Sequence, residues 1–318
     1  MRRIVALFVL PLIAGLALVG CGSSKPASPN ASVTATGSFG ASPKVTIPKQ
    51  SATSTLTVKT LVQGKGATIK KSDIFLSNFT IYVWSGKTNK LLDSTYSSSP
   101  QVLPASLLPG IQSAVTGAKV GSRVLAVIPP KEGYGTSGNS ELGVTGSDTL
   151  VFVLDLIQNY SSGTVGSTGT QSYSGGGSLP TVSDAKGSAP KVTIPKNVTP
   201  PKTLVSKTLI KGTGAAVTKG QDVVAQYVGI NWRTGTTFDS SWSRSLPYSF
   251  KIGASPSQVI TGWDKGLVGQ TVGSRVLLVI PPSDGYGSAG ESQAGIKGTD
   301  TLVFVVDILG AVSPGAKS

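Results

Sequence analysis

The chain contains two copies of one long segment, and the copies differ at only some positions. Residues 121–157 and 273–309 share GSRVL, VIPP, GYG and TLVF in register, at a constant offset of 152 (273 minus 121). Solenoid repeats have periods of about 20–50 residues, so a repeat of this length indicates a complete domain. A prior of about 150 residues per domain also predicts two domains for 318 residues. Comparing the copies therefore separates residues that fold the domain from residues that give it a function.

The N-terminal segment predicts export and lipidation. Arg2 and Arg3 precede an apolar run that ends at Val19, as in a secretory signal. The sequence LVGC that ends at Cys21 resembles the bacterial lipobox, in which the signal is cut before a cysteine that carries diacylglycerol. We expect residues 1–20 to be a lipoprotein signal peptide and Cys21 to anchor the protein at the extracytoplasmic face of the cell membrane. The alternative is an unprocessed signal with an incidental thiol.

The composition excludes several kinds of chemistry. The chain has no histidine and only one cysteine. Histidine-ligated zinc and catalysis by Ser-His-Asp or Cys-His groups are therefore excluded. If Cys21 is lipidated, the mature chain also has no free thiol, and we expect neither a metal ion nor a cofactor.

The net charge of +14 needs a different explanation from nucleic-acid binding. The lysines are scattered singly through linkers and turns, with no basic run denser than Lys70-Lys71. Proteins that bind nucleic acid usually cluster their basic residues in a patch or along a helix. We expect no nucleic-acid partner, and instead a weak, salt-sensitive attraction to anionic lipid or wall polymer.

The protein is expected to be a monomer.

Segments rich in Ser, Thr, Pro and Gly lie before each copy and carry no apolar periodicity, which is typical of flexible connections. The heptapeptide PKVTIPK occurs in each of them, at 43–49 and 190–196, and the sequence assigns it no role. The predicted parts after the signal are a flexible tether (21–55), a first copy (56–158), a linker (159–200) and a second copy (201–311).

The second copy predicts an antiparallel sheet with one short helix. β-branched and aromatic residues predict strands at 222–230, 246–252, 271–280 and 299–309. A helix is predicted over 255–267, with a serine as its N-cap and a proline at its first position. The predicted fold class is α+β, with the helix packed on the concave side of the sheet.

The motifs of the second copy are similar to those of the FKBP-type peptidyl-prolyl cis-trans isomerases. Several ordered motifs across about residues 204–309 make this resemblance specific. They are QYVG (226–229), TFDSS (237–241), VITGWDKGL (259–267), VGSRVLLVIPP (272–282), GYG (285–287) and TLVFVVDIL (301–309).

The resemblance implies an aromatic pocket for a prolyl ring. Trp263 would form its floor, and Asp239 would line it beside a tyrosine. Tyr286 would offer a hydroxyl to the peptide, and Ile296 would cover one side. The walls would be Tyr227, Phe238, Tyr248 and Phe304, with Val259 and Ile260 at the rim, where the family's backbone amide meets the substrate carbonyl. Tyr248 departs from the family, which usually has Phe, and the loop 288–298 lacks aromatic residues.

Such a pocket needs no nucleophile. Rotation about a peptide bond costs about 18–20 kcal/mol because twisting breaks amide resonance. A dry aromatic cleft favours the twisted amide, which is less polar than the planar one. Selective binding of that state is catalysis without a cofactor.

The first copy has lost part of this set. In register with the second copy, we expect Asn78 in place of Tyr227 and Leu92 in place of Phe238. Ile111 would replace Trp263, and the position of Tyr248 has no secure counterpart. Asp93, Tyr134 and Phe152 match Asp239, Tyr286 and Phe304. The first copy is therefore predicted to be an FKBP-like domain with little or no isomerase activity.

The predicted function is that of an anchored prolyl isomerase that assists the folding of exported, proline-containing polypeptides. The main alternative is a non-catalytic peptide-binding or chaperone lipoprotein built from FKBP-like modules. A structural envelope lipoprotein is a third hypothesis, but it gives no account of the aromatic set.

Overall fold

The computed structural model describes residues 32–86, 88–161, 166–171, 173–183 and 188–313. The predicted signal peptide and the predicted lipidation site Cys21 lie outside these residues. Among the described residues, no helix is long and apolar enough to cross a membrane.

The first copy is a six-stranded antiparallel sheet with one helix. The sheet order is β3-β7-β8-β4-β5, and β6 pairs with β4. A two-stranded hairpin, β1-β2, precedes this sheet. The elements are β1 (Thr34–Thr36), β2 (Lys44–Thr46), β3 (Thr57–Val62), β4 (Ile74–Ser85), β5 (Thr88–Ser94), β6 (Gln101–Pro104), α1 (Pro109–Val115), β7 (Arg123–Ile128) and β8 (Thr149–Tyr160).

The second copy repeats this arrangement. Its sheet has the order β15-β14-β18-β17-β13-β9, and β16 pairs with β14. Strands β10, β11 and β12 form a separate three-stranded sheet. The elements are β9 (Thr170–Gln171), β10 (Gly175–Gly176), β11 (Leu179–Ser183), β12 (Lys191–Thr193), β13 (Val205–Lys211), β14 (Asp222–Asn231), β15 (Thr237–Ser240), β16 (Tyr248–Lys251), α2 (Thr261–Leu267), β17 (Arg275–Ile280) and β18 (Leu302–Val312). The predicted α+β class, with a sheet wrapped on one short helix in each copy, is confirmed.

The central strands are buried on both faces. All six residues of β7, RVLAVI, are buried. Val124, Ala126 and Ile128 pack in the core on the side of α1, whereas Leu125 and Val127 pack in a cluster on the opposite face. Successive side chains of a strand point to opposite faces, so an uninterrupted apolar strand requires a cover on each side.

The helix covers the inner face and approaches the sheet closely because it carries glycine at the contact. A Cβ atom at Gly262 of α2 would lie 2.5 Å from Cγ2 of Ile280 on β17. A Cβ atom at Gly110 of α1 would likewise lie 2.5 Å from Cγ2 of Ile128 on β7. The side chain of Trp263 follows directly, so this close packing fixes where its indole ring lies.

The PKVTIPK segments cover the outer faces. Ile47, next to β2, and Val33 are buried in a cluster with Leu125 and Trp84 of the first sheet. In the second copy, side chains of β11, β12 and the residues after β12 pack in the corresponding cluster with Leu277, Val303 and other residues of the second sheet. The repeated heptapeptide therefore has a structural role in each copy.

A buried ion pair joins each central sheet to the segment before it. Arg123 and Asp155 of the first copy are fully buried, with Arg123 Nε 2.6 Å from Asp155 Oδ1. The Arg123 guanidinium also donates to the backbone carbonyls of Gly37 and Ala41. The backbone N–H of Gly40 donates to Asp155. Buried charges need this complete set of partners, so the pair fixes the β1-β2 hairpin against the sheet.

The second copy has the equivalent pair. Arg275 Nε lies 2.6 Å from Asp307 Oδ1, and both side chains are buried. Here the backbone N–H of Ser167, in the segment between the copies, donates to Asp307. Strand β9 then pairs with β13 as an additional edge strand.

Three features differ from the expectations. The described part of the tether, residues 32–55, includes a hairpin packed on the first sheet. The described part of the linker forms β9 to β12 and packs on the second copy. The helix α2 begins at Thr261 rather than at Ser255. Residues 253–260 form a loop instead. The Asp264 carboxylate accepts from Gly253 N and Ser257 Oγ, each at 2.6 Å, and so holds this loop against the start of the helix.

The cover on the outer face predicts a specific stability effect. Replacing Ile47 by alanine should destabilise the first copy by about 2–3 kcal/mol, because it leaves a cavity over the sheet. Thermal unfolding followed by circular dichroism should show a midpoint lowered by about 5 °C or more. The neighbouring Thr46→Ala, at an exposed position of β2, is the matched control. Equal midpoints for the two variants would mean that this segment does not support the sheet.

Candidate active site

An aromatic cluster lies on the inner face of the second sheet, around Trp263. The rings of Tyr227, Phe250 and Phe304 approach the indole edge-on, with centroid distances of 5.2, 5.2 and 5.3 Å. Trp263 is only 4% exposed. Edge-to-face contacts are favourable because the positive edge of one ring meets the negative face of the next. The ring planes are therefore fixed before any ligand binds.

Two further rings extend the cluster toward solvent. Phe238 packs edge-on against Phe304 at 5.5 Å. Tyr248 stacks on Phe250 at 5.6 Å and remains 38% exposed. We use the name aromatic cluster for Tyr227, Phe238, Tyr248, Phe250, Trp263 and Phe304.

The structure brings the sequence-predicted residues together. Tyr227, Trp263, Ile296 and Phe304 are buried in one core cluster. Phe238, Val259, Ile260 and Tyr286 are partly buried and pack against that cluster. Asp239 and Tyr248 join through contacts with Tyr227. The predicted set omitted Phe250, which packs on both Trp263 and Tyr248.

A polar network lies at one edge of the aromatic cluster. The Tyr227 hydroxyl donates to the Asp239 carboxylate. Arg244 donates to Asp239 and, through Nη2, to the Tyr227 oxygen at 2.9 Å. Burial and the adjacent Asp239 raise the pKa of Tyr227 above its ordinary value, so its hydroxyl keeps the proton that it donates. The network holds the Tyr227 ring in position.

Arg244 was not among the predicted site residues. It ends the short turn Trp242–Arg244 that follows β15, and the next residue, Ser245, has a positive φ of 53°. Burial lowers the pKa of the Arg244 guanidinium, but the hydrogen bonds and charges of Asp239 and Tyr227 together outweigh that effect, so the pKa is raised. An arginine five residues after an aspartate is a weak signal in a sequence; only the turn brings the two charges together.

The floor of the cluster contains a buried donor without an acceptor. Trp263 Nε1 has no hydrogen-bond partner among the described residues. Buried polar groups in folded proteins are almost always paired. The described residues thus leave Trp263 Nε1 as an unsatisfied donor inside the cluster.

The corresponding region of the first copy has a different register from the one expected. Tyr227 pairs with Val306, and Phe79 pairs with Leu154, the residue 152 positions earlier. The backbone N–H of Tyr227 donates to Ser241 Oγ, as that of Phe79 does to Thr95 Oγ1. The expectation that Asn78 stands for Tyr227 is therefore wrong by one residue. Strand register follows the hydrogen bonds to the neighbouring strand rather than local sequence similarity.

One residue change fills the site in the first copy. Gly229 pairs with Phe304 and Asp239, and its counterpart Ile81 pairs with Phe152 and Asp93. A Cβ atom at Gly229 would lie 2.8 Å from both Phe238 Cζ and Phe304 Cε1. Ile81 places a whole side chain there and packs against the first core.

Other positions of the first copy lose their rings. The pairing of β6 with β4 places Gln101 where the second copy has Tyr248, and Leu103 where it has Phe250. Ile111 occupies the position of Trp263, one residue after the glycine that contacts β7. Four of the six rings of the aromatic cluster are therefore replaced, by Leu92, Gln101, Leu103 and Ile111, whereas Phe79 and Phe152 keep a ring at the positions of Tyr227 and Phe304.

Within the described residues, no group of three or more Asp, Glu, His or Cys side chains could hold a metal ion. What the site offers is an aromatic surface with a fixed tyrosine, a carboxylate paired with arginine, and one unpaired indole N–H.

Comparisons with known proteins identify chains similar to this one. The model of the family "FKBP-type peptidyl-prolyl cis-trans isomerase" matches residues 66–157 and 214–309. An FK506-binding protein of Streptomyces anulatus is 42% identical over 110 residues, which span 35% of this chain and 87% of that protein. A probable FK506-binding protein of Corynebacterium glutamicum is 39% identical over 111 residues, or 35% of this chain and 89% of that protein. The crystal structure of AtFKBP13 is 33% identical, covers 34% of this chain and 91% of that one, and has a TM-score of 0.31.

The family model matches both copies and more than half of the chain. The chain belongs to the FKBP-type peptidyl-prolyl cis-trans isomerase family and contains two domains of that family in tandem.

The contrast between Gly229 and Ile81 predicts that a single methyl group impairs the site. In the full chain, Gly229→Ala should reduce isomerase activity by about tenfold, because Phe238 and Phe304 must move apart. Peptide isomerisation assays measure the loss, and near-ultraviolet circular dichroism reports the ring packing. Ser97→Thr, which also adds one methyl group but at an exposed position of the first copy, is a control for added volume outside the site. Unchanged activity in Gly229→Ala would show that this ring contact is not needed.

Proposed function

We propose that the second copy is the catalytic domain and that its aromatic cluster binds the prolyl ring of a substrate. The observation that carries this proposal is the set of near-perpendicular rings around Trp263, with an unpaired N–H at its floor. Each prolyl ring is apolar and flat enough to lie on an indole. Its flanking amide can turn toward the polar edge formed by Tyr227 and Asp239.

Catalysis in this site is selective binding of the twisted amide. The planar amide has the larger dipole, so transfer from water to an aromatic surface costs the planar state more than the twisted state. Interactions that favour only the twisted state lower the barrier of about 18–20 kcal/mol. Each tenfold acceleration requires about 1.4 kcal/mol of such preference. Neither a proton transfer nor a covalent bond is needed.

The role of the network at Asp239 is positional. Tyr227 contacts Trp263 with its ring and Asp239 with its hydroxyl. Arg244 neutralises the Asp239 carboxylate, which would otherwise present a bare negative charge beside an apolar pocket. With this charge neutralised, the edge of the pocket remains suited to binding an uncharged prolyl ring.

We further propose that this activity serves exported proteins near the membrane. The proposal depends on the sequence of residues 1–21, which reads as a lipoprotein signal ending at Cys21. Proline-containing segments of newly exported chains would be the substrates. Isomerisation of X-Pro bonds takes tens to hundreds of seconds without a catalyst, which is slow enough to limit folding.

Substitution of Trp263 tests the catalytic assignment. In the full chain, Trp263→Leu should lower kcat/KM for an Ala-Pro peptide by about tenfold or more, because the first copy cannot replace the lost site. Trp232→Leu is the matched control, since that indole is also buried but packs in the outer-face cluster and not the aromatic cluster. Circular dichroism and thermal unfolding establish that both variants are folded.

Phe238→Leu provides a second variant if Trp263→Leu fails to fold. It introduces the residue that the first copy tolerates at Leu92, so the fold accommodates it, and it should also lower activity. Full activity in a folded Trp263→Leu protein would overturn the catalytic assignment. Absence of activity in the unsubstituted chain, with peptide binding retained, would favour the non-catalytic peptide-binding alternative.

The anchor is tested separately. Cys21→Ser, expressed in a bacterium that processes lipoproteins, should move the protein from the membrane fraction to the soluble fraction. It should also abolish incorporation of a labelled fatty acid. Membrane association that survives this substitution, with no label in the unsubstituted protein, would contradict lipidation at Cys21.

A further inference from the structure

The two copies share a buried apolar cluster. Ile74, Leu76, Val102 and Tyr160 of the first copy are buried in it together with Val224 of the second. Leu246, Leu309 and Val312 of the second copy pack against the same cluster. The first copy therefore lies directly against β14, β18 and the residues before β16.

Polar contacts at the border of this interface reach elements that carry the aromatic cluster. Ser249 Oγ, on β16, donates to the backbone carbonyl of Pro100 at 3.0 Å. Gln258 Nε2, on the loop 253–260, lies 3.0 Å from Ser99 Oγ. Ser99 is only 9% exposed, so its hydroxyl lies inside the interface.

Both contacts adjoin predicted substrate-binding residues. Ser249 follows Tyr248, the exposed ring of the aromatic cluster. Gln258 precedes Val259 and Ile260, the expected rim of the site. The carbonyl oxygen of the Gln258 side chain also accepts from the backbone N–H of Lys251 at 2.8 Å. Gln258 thus joins the first copy, β16 and the loop in one hydrogen-bonded unit.

The loop needs such support because packing provides little. Residues 255–258 are exposed. Hydrogen bonds hold the loop instead. Asp264 accepts from Gly253 and Ser257, and Gln258 bonds with Ser99 of the first copy. Segments with few buried contacts open locally at low free energy, so a single hydrogen bond changes their population measurably.

We infer that Ser99 of the first copy is a positioning residue for the second copy's substrate site, acting through Gln258 on the rim at Val259 and Ile260. The inference rests on the proposed function of the second copy. It gives the first copy a role that requires no pocket of its own: the first copy is a fixed support for the catalytic domain.

The test uses the full chain with Ser99→Ala, Gln258→Ala and the double variant. Ser97→Ala is the matched control, because Ser97 is exposed in the same segment and its side chain makes no hydrogen bond with the described residues. Hydrogen-exchange mass spectrometry of a peptide covering 253–260 measures loop opening without reference to activity. Isomerase kinetics with a short X-Pro peptide separate KM from kcat.

We expect Ser99→Ala to speed exchange in this loop by about fivefold, the change expected from losing one hydrogen bond. KM should rise by a similar factor with kcat within about twofold, because the rim is loosened while the aromatic floor is intact. In the double variant, Ser99→Ala should add nothing to Gln258→Ala, since residues that act through one contact are not additive. Ser97→Ala should match the unsubstituted protein.

Unchanged exchange and KM in Ser99→Ala would overturn the inference, as would additive effects in the double variant. If the unsubstituted chain has no isomerase activity, the proposed function fails. The exchange measurement then decides alone whether the first copy holds the loop.

Discussion

Burial of each central sheet on both faces is the constraint on which the rest of the structure depends. Strands such as β7 and β17 have no polar residue between their arginine and their end, so neither face can be left to solvent. The helix covers one face and comes close only because glycine stands at Gly110 and Gly262. The PKVTIPK segments cover the other face. The folded unit of each copy therefore extends beyond the repeated motifs and includes the segment that precedes them.

The same fold supports either an aromatic site or a filled core, and the difference is decided at few positions. Gly229 leaves room for the edge contact between Phe238 and Phe304. Ile81 occupies that room in the first copy, where Ile111 also replaces the indole. Both solutions bury apolar surface, so stability does not distinguish them. The two copies differ in whether this apolar surface is open to a ligand or covered by side chains of the same domain.

This division suits an enzyme whose chemistry needs surface shape rather than reactive groups. A domain that has lost the surface still has a sheet, a helix and an outer cover, and it can contribute rigidity to its neighbour. The interface around Tyr160 and Val224 places the first copy beside β16 and the loop 253–260. Residues 255–258 of that loop are exposed, so packing alone holds them weakly.

The sequence by itself determined the tandem organisation, the main strands and most of the aromatic set, because β-branched runs and ordered motifs are local signals. Only the tertiary structure decided that Phe79, not Asn78, matches Tyr227, since register depends on the neighbouring strand. The contact between Arg244 and Asp239 is likewise visible only in the folded protein. The same holds for the position of the PKVTIPK segments over the sheets. The later start of α2 follows from Asp264, whose carboxylate binds the preceding loop. Contacts between distant segments leave no periodic pattern, and for that reason the sequence could not reveal them.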